Sequence, residues 1–111
     1  MPAFNIIASV GTSEVELAPY PGGSATTPTG KTRKIYAIVL TNTATGSNTL
    51  TLRIYKGTTL ETSFNVTIPS PGSLSMINEK NSPILLIPSN RTLKAVASAE
   101  SVNVLMAGLD E

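Results

Sequence analysis

From Arg33 to Leu109 the chain is a series of short strand patterns, most of them alternating apolar and polar residues with a period of two, joined by turn residues such as Gly, Pro, Asn and Ser. A period of two sends successive side chains to opposite sides of an extended backbone, so each run predicts a strand with one buried and one wet face. Leu50, Leu52 and Ile54 alternate with Thr49, Thr51, Arg53 and Tyr55; Leu60, Phe64, Val66 and Ile68 share one phase and Glu61, Ser63, Asn65 and Thr67 the other. Leu93, Ala95 and Ala97 repeat the pattern, and Val102, Val104 and Met106 stand opposite Asn103, Leu105 and Ala107. Residues 34–41, Lys-Ile-Tyr-Ala-Ile-Val-Leu-Thr, are apolar in both phases, which predicts a central strand covered from both sides.

Shorter apolar pieces at 74–77 and 84–87 are separated by a polar bend. Ahead of this region, 4–10 and 13–18 flank Gly11-Thr12 and read as a hairpin. Between them and the central strand, residues 19–32 are dense in Pro, Gly, Ser and Thr, with no strand pattern, and read as a loop. No segment has the 3.6-residue periodicity of an amphipathic helix. The expectation is an all-β domain over 1–111: an antiparallel two-sheet β-sandwich of about eight strands, jelly-roll-like, with an N-terminal hairpin or arm (1–18), a loop (19–32) and a sandwich core (33–109). Phase within the strands predicts Leu52, Ile54, Phe64, Val66, Leu93, Val104 and Met106 as core.

Composition narrows the chemistry. With 111 residues one core suffices, and charged residues are only 14% of the chain against the quarter or so that is ordinary. Fifteen Thr and twelve Ser take their place, a choice suited to the exposed side of a sheet. A net charge of +1 favours neither nucleic acid nor an anionic membrane. The N-terminus lacks the basic start and apolar stretch of a signal peptide, and no run is long enough for a membrane span, so the expected product is soluble and made in the cytoplasm.

There is no histidine and no cysteine, which removes Ser-His-Asp and thiol catalysis, the usual zinc ligand sets and disulfides. No cofactor is expected. The remaining candidates are weak: Glu14 and Glu16 share a strand face and could in principle serve hydrolysis or calcium, but a solvated face explains them better. The cluster Lys31, Arg33 and Lys34 is read first as protection of a strand end. Two Asn-x-Thr triplets, at Asn65 and Asn90, are chance matches in so Thr-rich a chain.

Taken together, residues 35–43 with their Thr41-Asn42-Thr43 ending, the Thr-rich strand to Tyr55, Ile68-Pro69, and Leu93-Lys94-Ala95-Val96-Ala97-Ser98-Ala99 leading to Val102-Asn103-Val104 and Gly108 resemble small β-sandwich accessory proteins of tailed-phage virions. The resemblance covers roughly 33–109 and rests on packing and turn residues. It implies a capsid decoration, head-fibre or tail-associated subunit, commonly trimeric, located in the virion, with capsid or tail proteins as partners and no catalytic residues. On that reading Phe4, Ile6, Tyr20, Pro21, Thr27, Lys31 and Arg33 are candidate contacts with the particle, and Ile35, Tyr36 and Ile38, on the doubly apolar strand, are candidates for the homo-oligomer interface. The alternatives are a carbohydrate- or cell-surface-binding module, which would need exposed tyrosines lining a groove, and a carboxylate-dependent hydrolase.

Overall fold

A computed structural model describes residues 3–20, 22–43, 46–69, 72–77, 83–99 and 102–111, with the backbone alone for residues 20 and 73–77. Its strands are β1 (Ala3–Val10), β2 (Val15–Glu16), β3 (Pro19–Tyr20), β4 (Arg33–Asn42), β5 (Asn48–Lys56), β6 (Thr59–Ile68), β7 (Gly72–Ile77), β8 (Leu85–Ile87), β9 (Arg91–Ala97) and β10 (Val102–Asp110). They form two sheets. One runs β3-β1-β10-β4-β7 with β8 also on β4, the other β2-β9-β5-β6, and every pairing is antiparallel.

The pairings are nested. β5 pairs with β6, β4 with β7, β2 with β9 and β1 with β10, so the chain is one long two-stranded ribbon folded back on itself. Its tip is the two-residue loop Gly57-Thr58, where Gly57 has φ 64°, as a type II′ hairpin asks of glycine at its first loop position. Wrapping that ribbon around a core adds the contacts β10–β4 and β9–β5 and divides the strands into the orders 1-10-4-7 and 2-9-5-6. This is the jelly roll. The expected hairpin of 4–10 with 13–18 does not form: β1 and β2 lie in different sheets, because the ribbon crosses from one to the other between them.

The core lies between the sheets. Leu50, Leu52, Leu93 and Ala95 from one side meet Ile6, Leu40, Val104 and Met106 from the other, all at most 1% exposed. Asn42, in the Thr-Asn-Thr motif, is buried at the corner between β4 and β5, where its side-chain amide donates to the carbonyls of Gly46 (2.9 Å) and Ile68 (3.2 Å). The motif is therefore a structural corner, tying the β4 exit to the end of β6.

In the larger sheet a β-bulge lies where Ala107 pairs with Ala37 and Gly108 with Ile35, leaving Tyr36 as the extra residue. Glycine is required at 108 because a Cβ there would collide with the backbone carbonyl of Lys34.

One core assignment needs correction. Phe64 faces its register partner Leu52 in the core phase, yet it is 37% exposed, whereas Val66, half-buried, packs against the core. β6 is the last strand of its sheet, so the inward phase there overhangs the rim of the core.

Candidate functional site

Most of the described charged residues are paired within the chain. Arg33 is 2% exposed and lies over the Phe4 ring, 5.0 Å from its centre. Its guanidinium grips Asp110 with two bonds, 2.8 and 3.0 Å, and donates to the Ser24 carbonyl at 2.8 Å. Lys34 pairs with Glu111, so the basic cluster is no open cationic patch. On the outer side of the smaller sheet Glu14 accepts from Arg53 (2.9 Å) and from the Tyr55 hydroxyl (3.1 Å), and Lys94 sits 4.6 Å above the Tyr55 ring. The Arg53 hydrogen bond holds the Glu14 carboxyl below the usual range, against a smaller opposing effect of desolvation. At the start of β9, Arg91 likewise binds Glu61 (2.9 Å) and depresses its carboxyl. Among the described residues no three of His, Cys, Asp and Glu are grouped to hold a metal.

The long loop is built into the fold. The Thr27 N–H donates to Arg91 and its carbonyl accepts from the Asn90 N–H, both at 2.9 Å, while its hydroxyl donates to the Ile87 carbonyl at 3.3 Å. The Thr26 and Thr92 hydroxyls bond at 2.7 Å, the Gly30 N–H donates to Ser89, and Thr29 donates to Asn90. Asn90 itself takes φ 63°, a left-handed conformation asparagine tolerates, and so turns the chain between β8 and β9 against this loop.

These placements leave several of the expected contact residues with little free surface. Ile6, Thr27 and Arg33 are buried within the chain, and Phe4 is half-buried beneath Arg33, so none of the four forms a free docking surface. Lys31 is half-buried on the rim of a cleft of about 330 Å³ with Phe4, Pro28 and Asp110. The side chain of Tyr20, and Pro21 altogether, lie outside the described residues. Of the expected interface on β4, Ile35 and Ile38 point into the core, at 0% and 2% exposure, because one side of a doubly apolar strand is claimed by the chain's own second sheet. Tyr36 is half-buried at the bulge.

What remains open is the other side of the same sheet. Three rows in register cross β1, β10 and β4: Ser9–Asn103–Thr41, Ile7–Leu105–Val39 and Asn5–Ala107–Ala37. None of these residues is charged. Ile7 is 56% and Leu105 46% exposed, and with Val39 they line a shallow groove of about 580 Å³. Apolar area in a row on a solvent face is the kind of feature that marks an interaction surface. The sequence carried part of the signal: Ile7 and Leu105 are apolar residues that share a phase with Asn5 and Ser9 and with Asn103, whereas Val39 lies in a strand apolar in both phases. No protein-family model, curated protein or solved structure matches the chain.

Proposed function

We propose that the chain is a non-enzymatic virion structural protein, a decoration or other accessory subunit that sets the outer face of its larger sheet against a repeated site on the particle. The observation that carries this reading is the uncharged apolar row Ile7–Leu105–Val39, framed by Ser, Thr and Asn, on a fold whose described acids and arginines are largely engaged in ion pairs. The jelly roll is an architecture of capsid proteins and lectins alike, so it supports the reading without deciding it. Weak apolar contacts suffice where a homo-oligomer meets a lattice, because several sites bind together.

The carbohydrate alternative is less well supported. It wants a free aromatic platform, and Tyr55 is held by Glu14 and Lys94.

The test is the composition of purified virions and the binding of the purified chain to particles stripped of it. The chain should be present in many copies and should rebind in co-sedimentation, and Leu105→Glu should abolish rebinding while leaving the thermal unfolding temperature within a few degrees. Absence from the virion, or undiminished binding of Leu105→Glu, refutes the reading.

A further inference from the structure

β6 is an edge strand of unusual openness. Seven consecutive residues from Thr59 to Asn65 are exposed, and among the described residues β5 is its sole neighbour in the sheet. Natural edges are blunted by lysine, proline or bulges. Here the single bulge lies near the start of the strand, where Tyr55 pairs with Leu60 and Ile54 with Thr62, and the only charge, Glu61, sits inside it and is bound to Arg91. From Thr62 to Ile68 the strand is regular, uncharged and free of proline.

The direction of its backbone groups follows from its neighbour. Thr49 of β5 gives its N–H to the Ser98 hydroxyl (3.0 Å) and accepts the Ser98 N–H (2.9 Å), so both of its polar groups point toward the β9 side. Groups alternate along a strand, so Thr51 and Arg53 point the same way, and their partners opposite, Thr67, Asn65 and Ser63, form the pairs of the β5–β6 ladder that exchange no backbone bonds. The N–H and C=O of Ser63, Asn65 and Thr67 therefore face away from β5, one outward pair on every second residue.

We infer that this edge pairs with the same edge of a second copy of the chain, antiparallel, about a two-fold axis at Asn65. In that register Asn65 faces Asn65 of the other copy and Ser63 faces its Thr67, so every outward N–H and C=O of the three residues finds a partner. Phe64 then lies beside the other copy's Val66 on the inner side, covering the one core-phase aromatic that a single chain leaves 37% exposed. No like charges oppose each other, since Glu61 lies beyond the paired segment. An isologous contact must be self-complementary, and this segment is. The two four-stranded sheets become one of eight strands. The inference does not depend on a role in the virion, because it concerns the purified chain alone, and it places a two-fold contact where the family resemblance led us to expect a trimer.

The test is solution mass by analytical ultracentrifugation at micromolar concentration, with variants at the axis. The native chain should sediment at twice its 11.6 kDa. Asn65→Lys and Asn65→Asp should each fall to the monomer mass, because the substituted charge meets its own copy across the axis, and an equimolar mixture of the two should return to the dimer mass. Since the chain contains no cysteine, Asn65→Cys should give a disulfide-linked dimer on mild oxidation, whereas Ser63→Cys should crosslink only when mixed with Thr67→Cys. A native monomer or trimer, a mixture that stays monomeric, or Ser63→Cys crosslinking to itself as readily as Asn65→Cys would overturn the proposal. The cysteine series keeps it falsifiable if the charged variants fail to fold.

Discussion

Residues 22–32 and strand β6 are opposite solutions to one requirement, that backbone polar groups find partners. The loop has almost no regular structure, only the isolated bridge between Thr26 and Thr92, yet its groups end on the protein: Thr27 at 0% exposure bonds three ways, and Arg33 reaches back to hold Ser24. β6 is ten residues of continuous strand, yet along its outer edge the backbone ends in solvent and Phe64 lies at the rim. Order therefore follows from where hydrogen bonds terminate and what lies alongside, and regular geometry alone does not make a segment part of the core.

The sharpest way to break this contrast is at Arg33. Its guanidinium is nearly enclosed and joins β10, the loop and Phe4, so Arg33→Met strands Asp110 and the Ser24 carbonyl and should cost about 3–5 kcal/mol in chemical denaturation. A loss under about 1 kcal/mol would show that the loop is merely laid on the surface.

The register partners Leu52 and Phe64 come next, since they share a phase but not an environment. Leu52→Ala should cost about 2–5 kcal/mol, as for a fully buried leucine, whereas Phe64→Ala in the monomeric state should cost about 1–2 kcal/mol, well short of a buried phenylalanine. Equal losses would place Phe64 in the core after all.

Thr27→Val keeps the shape and deletes one buried hydroxyl, leaving the Ile87 carbonyl short of a donor, for an expected cost of about 1–2 kcal/mol. Ser63→Ala on the β6 edge should stay within about 0.5 kcal/mol in the same titration.

The smallest effect is on pH dependence. The Glu61 and Glu14 carboxyls are depressed in the fold, chiefly by hydrogen bonds from Arg91 and Arg53, so the folded state binds these protons less readily than the unfolded chain. Their stabilisation is present above the usual glutamate range and is lost as the pH falls through the depressed values. Both pairs are near the surface, so salt should shrink the effect. The denaturation midpoint of Glu61→Gln should fall less than that of the native chain between neutral pH and the acid limb. Parallel curves would show that the Glu61–Arg91 contact contributes nothing.

Strand positions were legible in the sequence because a half-covered sheet writes its period directly into the order of apolar residues. The runs around Leu50–Ile54, Leu93–Ala97 and Val102–Met106 fall in the observed strands with the expected faces buried. The jelly roll was partly legible too, from strand number and spacing. The candidate site was much less so. Arg33 in the basic cluster reads as a surface charge until Asp110, 77 positions away, comes beside it, and Thr27 in a Pro/Gly-rich stretch reads as loop until Ile87 and Arg91 supply its partners.

The order of residues already marks most of the extended segments and turns, and the absence of histidine and cysteine closes the chemistries that need them. Those properties depend on local alternation and on residue identity. Which apolar face is covered depends on the assembled sheets: Ile35 and Ile38 go inside while Ile7, Val39 and Leu105 line a groove outside, and Phe64 reaches the rim because β6 is last in its sheet. Period two says that two faces differ, but burial is set by neighbours brought together across the ribbon, and no local pattern encodes how many strands lie beyond a given one.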